Sequence, residues 1–376
     1  GQWCARSCQR SARSRSQHCR LMAIDWFVSP HGLGHATRSA AIIDQLPPDV
    51  PVSVHCKVPD WFWDERWARR CHRMDPCPDF ACVQSSTWDI DLPATLANAG
   101  RLIAAAESIA TEMADALVAT GCRLVVSDIS PIPLMAARLA SIPSVLVANF
   151  TWCSIFRPWE GAAQIVAALE TMVSNAGNVW VTGPSIAMPE LSNVNRCAWV
   201  ATRGVNRRRD LFPELPDNTK VALVLPGAWN TPFAWENLSG LTGWIFAGLT
   251  RGDALPEPLV AVDAHLVSHS DVVASVDAVV AKPGYGTFGE CAAVGTPILT
   301  ASRPEFSESS ALEKWLTSNS FGVLLSRDQF LTCRWQAGLD AIAHAPRPNP
   351  IDCDGARMIA DALVRLWQDS PAGSAK

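Results

Sequence analysis

The sequence predicts an α/β protein of two Rossmann-like domains that face a central cleft, each a parallel sheet covered by helices. Short apolar runs alternate with helical stretches along the whole chain, which is the pattern of βαβ units. A glycine-rich segment, SPHGLGHATR (29–38), follows the first apolar run, and a second, KPGYGTFGE (282–290), follows a later one. At 376 residues the chain is too long for one typical domain and long enough for two of roughly 150 to 200 residues.

Residues 1–20 hold five Arg, four Ser and three Cys without one acidic side chain, a composition that mimics an organelle transit peptide. Because Met22 stands directly before the first apolar run, these residues are read instead as a disordered tail. The first domain, 21–205, is predicted to contain strands at 22–28, 50–56, 124–127, 144–148 and 178–181, with helical stretches between them. Residues 36–46 continue the first glycine segment as a helix. A longer helix at 96–118 places Leu96, Ile103, Ile109, Met113 and Leu117 near one face, and Gly121 closes it. The run WFWDERW (61–67) has two readings, an aromatic wall for a sugar or a flat acceptor, or a helix whose rings pack inward. With 16 Trp and one Tyr in the chain, tryptophan is used generally, and inward packing is preferred.

The basic, irregular stretch 203–210 and the prolines Pro213 and Pro216 mark the boundary. The second domain, 218–350, begins with an apolar strand at 221–225 and repeats the alternation with strands at 244–249, 259–262, 276–281, 297–301 and 321–325. A terminal segment, 351–376, carries an amphipathic helix at about 354–367 that can pack on either domain.

Hydrophobic residues make up 48% and charged residues 18%, with a formal net charge of -5, so the chain has no nucleic-acid footprint. No apolar run reaches the roughly 18 to 20 residues needed to span a bilayer. Thirteen cysteines, an odd number without dense spacing, fit free thiols in a reducing cytoplasm. Cys71, His72, Cys77 and Cys82 lack paired Cys-x-x-Cys knuckles, and no metal site is expected there. The sequence assigns no oligomeric state.

Neither glycine segment ends as a P-loop or has dinucleotide spacing, which disfavours ordinary ATPase and dehydrogenase chemistry. In the first, Gly32 and Gly34 let the backbone approach a ligand, with His31 and Arg38 beside an acceptor or a phosphate. His35 stands at the helix mouth; neutral near its usual pKa of about 6.5, it can take a proton from an acceptor hydroxyl, a role worth roughly 10²- to 10⁴-fold in rate. It can equally hold the loop or satisfy the helix end. Asp128 ends a strand at the carboxyl edge of the sheet, where it can orient His35 or form a turn beside Pro131. In the second segment, Lys282 and the amides of Gly284, Tyr285, Gly286 and Thr287 can clasp a diphosphate at a helix N-terminus, whose field adds roughly 0.3–1 kcal/mol. Glu290 can accept from ribose hydroxyls, or serve a capping box with Thr287.

Taken together, HGLGHATR (31–38), VSDISP (126–131), VANFTW (147–152) and KPGYGT (282–287) with Glu290 resemble the GT-B glycosyltransferases. The likeness is strongest to the glycosyltransferase-like amino-terminal region of L-arabinokinases. More distantly it extends to UDP-glycosyltransferases and to the peptidoglycan N-acetylglucosaminyltransferase. The resemblance implies a GT-B fold, with the acceptor on the amino-terminal domain, a UDP-linked sugar on the carboxyl-terminal domain, and neither metal nor cofactor. It implies His35 as base, Asp128 as its partner, Lys282 and Gly284 to Thr287 at the diphosphate, and Glu290 at the ribose. Two departures concern the donor. The Asp-Gln pair of plant-type enzymes is replaced by RPEFSE (303–308), leaving Glu305 or Glu308 as candidates for the sugar, and a Gly-Ser loop is replaced by PGAW (226–229). Kinase activity is not expected, because the glycine-serine phosphate loop of that superfamily is missing. The reading is an inverting glycosyl transfer to a small-molecule hydroxyl; the alternative is a catalytically silent sugar-nucleotide-binding module, and an epimerase of the same fold is less well matched.

Overall fold

The computed structural model describes residues 23–227, 231 and 233–370. The tail 1–20, Met22 and residues 228–229 of the PGAW stretch lie outside the described residues. In chain order the first half comprises β1 (Ile24–Val28), α1 (Leu33–Ile43), β2 (Val52–His55), α2 (Asp60–Arg66), β3 (Cys71–Met74), α3 (Leu92–Thr120), β4 (Leu124–Asp128), α4 (Ile132–Leu139), β5 (Ser144–Ala148), α5 (Trp152–Phe156), α6 (Ala163–Val173), β6 (Asn178–Thr182) and β7 (Val194–Cys197). The second half comprises α7 (Arg208–Leu211), β8 (Lys220–Leu225), β9 (Trp244–Thr250), β10 (Val260–Asp263), α8 (His269–Ser275), β11 (Ala278–Ala281), α9 (Tyr285–Val294), β12 (Ile298–Ala301), α10 (Glu308–Ser318), β13 (Gly322–Leu325), α11 (Arg327–Leu331), α12 (Gln336–His344) and α13 (Gly355–Asp369).

Two wholly parallel sheets result, one of seven strands in the order β3-β2-β1-β4-β5-β6-β7 and one of six in the order β10-β9-β8-β11-β12-β13. Strand order reverses at β1/β4 in the first and at β8/β11 in the second, so a crevice opens at the carboxyl ends of those strands. Central strands such as β1, β4 and β5 are buried along their whole length, as sheets covered on both faces require. All eleven predicted strands are present, and the edge strands β3 and β7 are additional. Their sequences, CHRM and VNRC, carry no apolar run because much of each strand faces solvent.

Helix boundaries differ where a cap rather than the apolar stripe sets them. Helix α1 starts at Leu33, three residues before the predicted start, because Gly32 at its N-cap takes φ 88° and turns the chain early. Helix α3 starts at Leu92, where the Asp91 side chain accepts the Ala94 amide. Gly121 ends it in the left-handed conformation, φ 67°, as predicted.

Several segments cross between the halves. Helix α13 follows the second sheet yet packs on the first, burying Ile359, Ala360 and Leu363 in the core that contains Ile24, Trp26 and Val54. Trp88, on the loop before α3, enters the core of the second half beside Phe330, with ring centroids 5.3 Å apart. In the aromatic run Phe62, Trp63 and Trp67 pack inward, while half-buried Trp61 carries the Arg251 guanidinium 3.8 Å above its ring. Cys71 lies in one core and Cys77 and Cys82 in another, and the described cysteines are unpaired. Among the described residues, no group of three His, Cys, Asp or Glu side chains is placed to hold a metal, and no helix is long and apolar enough to cross a membrane.

Candidate active site

Parallel pairing sets Val28 beside Asp128, so β1 and β4 end flush and deliver the loop before α1 and the Asp128 carboxylate to the same point. On α1, His35 and Arg38 are three residues apart and share one face, and both reach that carboxylate. His35 Nδ1 lies 2.6 Å from Asp128 Oδ1. Arg38 donates from Nε to Oδ2 at 2.9 Å and from Nη2 to Oδ1 at 2.7 Å, and Ser39 Oγ donates to Oδ2 at 3.3 Å. All four groups are buried. Burial alone would raise the Asp128 carboxyl, but the charges of Arg38 and His35 and their hydrogen bonds hold it down to about 2. Asp128 is therefore an anion at any physiological pH and an acceptor for a proton on His35 Nδ1, which leaves Nε2 as the ring nitrogen not engaged by the carboxylate.

Arg38, expected near an acceptor or a phosphate, is buried with its guanidinium hydrogen-bonded inside the protein. Besides Asp128 it donates to Asn149 Oδ1, and it lies over the Tyr285 ring at 5.3 Å. Asn149, just past β5, donates in turn to Glu308 Oε1 at 2.6 Å, so a buried polar chain runs from Asp128 to the first residue of α10. Glu308 thus bridges the two halves. Glu305, the other candidate for the donor sugar, is half-exposed and lies 3.7 Å from Arg327 at the rim.

The two glycine segments approach each other closely: a Cβ on Gly286 would lie 3.9 Å from the Gly34 Cα, which brings the N-termini of α1 and α9 together. Lys282 follows β11, and Gly284 caps α9. Leu225, Pro226, Gly227, Leu249, Lys282 and Thr287 line a cavity of about 280 Å³. Burial and the neighbouring Arg303 lower Lys282 to about 8. Burial lowers His31 to about 3, aided by the charges of His35, Lys282 and Arg303, so it is a neutral ring; it stacks on Phe306 at 5.7 Å and meets Trp152 edge-on at 5.3 Å.

Arg303 was not singled out by sequence reasoning. It opens the stretch that replaces the Asp-Gln pair, and that replacement was the available signal. It is buried, its Nε has no partner, and its guanidinium lies over Phe306 and Trp88 at 5.4 and 5.9 Å. Half-buried Lys282 and buried Arg303 thus lie near each other without an ion pair to either among the described residues, an arrangement that favours an anion between them.

Tyr285 does not offer its side chain to this cavity. Its hydroxyl donates to the Gly183 carbonyl and accepts the Val200 amide, each at 3.1 Å, which locks the start of α9 to the first half and leaves only backbone at the helix mouth. The capping box between Thr287 and Glu290 does not form, because Gly284 is the N-cap and Thr287 already lies within the first turn. Glu290 is buried and accepts from His269 Nδ1 through Oε2. Burial opposes a charge on His269, but Glu290 outweighs it and raises the imidazole above its ordinary value.

No family profile matches the chain. Its sequence is 28% identical over 340 residues to an L-arabinokinase of Arabidopsis thaliana, covering 86% of this chain and 32% of that protein, so the chain spans about a third of the relative's length. Among solved structures, it is similar to a UDP-glucosyltransferase from Polygonum tinctorium, with TM-score 0.62 and 11% identity over 93% of this chain and 99% of the other. It is also similar to the spinosyn rhamnosyltransferase SpnG, with TM-score 0.61 and 11% identity over 94% and 98%. The glycosyltransferase of kitacinnamycin gives TM-score 0.60 and 17% identity over 92% and 99%. The chain has the GT-B glycosyltransferase fold, and its sequence is related to L-arabinokinase over the greater part of its length.

Proposed function

We propose that the protein is an inverting glycosyltransferase that moves a sugar from a nucleotide diphosphate sugar, UDP-linked, to an acceptor hydroxyl. The observation that carries this reading is the 2.6 Å His35–Asp128 pair at the mouth of α1, opposite the Lys282 segment. Nε2 of His35 takes the acceptor proton while the acceptor oxygen bonds to the anomeric carbon. The bond from that carbon to the diphosphate breaks, and its electron pair leaves on the nucleotide. Asp128 stabilises the imidazolium that forms, and Arg38 keeps Asp128 ionised. Lys282, Arg303 and the amides of Gly284 to Thr287 take up the charge on the diphosphate, so the mechanism requires no metal. Glu290, oriented by His269 through one oxygen, has the other for a ribose hydroxyl. A nucleotide donor also fits the similarity to a UDP-glucosyltransferase and to SpnG, which has been solved with thymidine diphosphate.

Calorimetric titration with UDP, GDP and dTDP is the first test, with micromolar binding of one nucleotide expected and at least tenfold weakening in Glu290→Ala. His35→Ala should lose roughly 10²- to 10⁴-fold in transfer or in slow donor hydrolysis, with nucleotide affinity nearly intact. No binding of any nucleotide would sink the proposal. A silent nucleotide-sugar-binding module is the second reading. It is favoured by Phe306 and Glu308, which close the cleft against His31 and Asn149 in the stretch where plant-type enzymes hold the donor sugar. Nucleotide binding with neither transfer nor hydrolysis would select it.

A further inference from the structure

One of the segments that cross between the halves reaches the loops around Lys282. Residues 84–90, between β3 and α3, turn back on themselves as a short hairpin. Gln84 and Ile90 bridge antiparallel, the Ser85 amide donates to the Asp89 carbonyl at 3.3 Å, and Ser86 Oγ donates to Asp89 Oδ2 at 2.6 Å. Asp91 behind the hairpin caps α3, so its base is anchored in the first half. Its tip belongs to the second. Trp88 is buried there in the core that holds Val224, Phe233, Val280 and Phe330, and the Arg327 guanidinium lies 5.8 Å from its ring. Arg327 also donates to Asp89 Oδ1 at 2.6 Å.

Seating Trp88 in the second half brings the residue before it against the loop that follows β8. Thr87 is buried, and its hydroxyl accepts from Thr231 Oγ1 at 3.3 Å. Gly227 meets it in the left-handed conformation, φ 95°, and a Cβ there would lie 3.0 Å from both Thr87 Oγ1 and Thr87 Cγ2 and 3.5 Å from Lys282 Cδ. Any side chain at 227 would force the hairpin or the loop aside, so the glycine is what lets Thr87 and Lys282 converge on one point. Gly227 and Lys282 both line the cavity of about 280 Å³, whose lining residues all come from the second half. Thr87 therefore brings a first-half hydroxyl to the wall of that cavity. A threonine hydroxyl both donates and accepts, and donation to a phosphate oxygen is a charge-assisted bond, stronger than one between neutral groups.

We propose that residues 84–90 form a strap through which the first half grips the donor nucleotide: Thr87 donates to the diphosphate beside Lys282, and Trp88, seated in the second half, holds it there. The inference rests on the nucleotide-sugar reading and adds to the donor site a residue that lies in the other half. Because the contact is to phosphate, a nucleoside without phosphates does not feel it. The test therefore compares the diphosphate that binds best among UDP, GDP and dTDP with its own nucleoside. Calorimetry serves for the first and ligand-observed NMR for the second, on the full chain and on Thr87→Val, Trp88→Ala and Arg327→Ala. Thr87→Val is expected to weaken the diphosphate about tenfold, the scale of a hydrogen bond to a charged group, with nucleoside affinity unchanged. Trp88→Ala, which frees the strap, should weaken the diphosphate at least as much. Should that variant fail to fold, Arg327→Ala removes the contacts to Asp89 and Trp88 from the edge and should weaken it a few-fold. A ligand that binds the seated strap also makes its opening rarer, so the diphosphate should slow hydrogen exchange in peptides spanning 84–91 and the nucleoside should not. Overturning results are diphosphate affinity unchanged in Thr87→Val, equal weakening of diphosphate and nucleoside, or exchange at 84–91 that the diphosphate leaves unaltered. Failure of the nucleotide reading shows separately, as absence of binding of every nucleotide to the unaltered chain, and it would take the strap with it.

Discussion

Asp128 is the residue on which the site turns, because a single buried carboxylate holds His35, Arg38 and Ser39 at once. Removing one partner of such a buried pair typically costs about 3–5 kcal/mol, so Arg38→Ala should lower stability by that amount in urea unfolding. Arg38→Lys should recover little, since an ammonium cannot supply the two-pronged contact of Nε and Nη2. Asp128 is depressed to about 2 from an ordinary value of 3.8, so its contribution is fully present above about pH 4 and is lost as the pH falls through 2. In Arg38→Ala the acid-unfolding midpoint should therefore move to higher pH, and an unmoved midpoint would contradict the role given to Arg38. Lys282 behaves in the opposite sense. Held at about 8 by burial and Arg303, it should return toward 10.5 when an anionic nucleotide binds. Calorimetry at pH 8 to 9 in buffers of different ionisation enthalpy should then show uptake of about half to one proton per nucleotide, abolished in Lys282→Met. His35, Asp128 and Lys282 were legible because each stands at a strand-to-helix junction. Arg303 was not, since nothing local distinguishes a buried guanidinium from a solvated one in an irregular segment.

At the scale of elements, the central strands and the glycine-opened helices follow from apolar runs and glycine spacing. The edge strands β3 and β7 do not, because a solvent-facing strand needs no apolar pattern. Helix α13 shows the complementary gap. Its amphipathic stripe was readable, but the surface it covers was not, since an apolar stripe specifies burial and not a partner. Leu363 is fully buried against the first sheet, so Leu363→Ala should cost about 2–5 kcal/mol. The loss should appear in hydrogen exchange as reduced protection of β1 and β2. Reduced protection confined to β8 to β13 would mean that α13 stabilises the second half instead.

Across the whole molecule, the two sheets are joined at both rims of the cleft and through its floor. Arg251 donates to both oxygens of Glu65, at 2.6 and 3.0 Å, while stacked on Trp61; Arg327 reaches Asp89 at 2.6 Å; and Asn149 meets Glu308. Exposed ion pairs contribute about 0–1 kcal/mol and a cation over an aromatic ring about 0.5–2 kcal/mol, so the Arg251 contact biases closure by roughly 1–2 kcal/mol. Arg251→Ala should shift the open-to-closed ratio about 5- to 30-fold, visible in small-angle scattering as a larger radius of gyration that nucleotide binding reverses. An unchanged profile would show that the rim contact does not govern closure.

What the sequence by itself determined is the pair of parallel sheets, the GT-B resemblance, and the placing of His35, Asp128 and Lys282 near strand ends. Those features are local, written in apolar runs and in the glycines that turn a strand into a helix. Only the tertiary structure decided that Arg38 pairs with Asp128, that Tyr285 locks α9, that Glu290 accepts from His269, and that Arg303 is buried with its Nε unpartnered. Each of these depends on a contact between residues far apart in the chain, where burial and the charge of a distant neighbour set what a side chain can do.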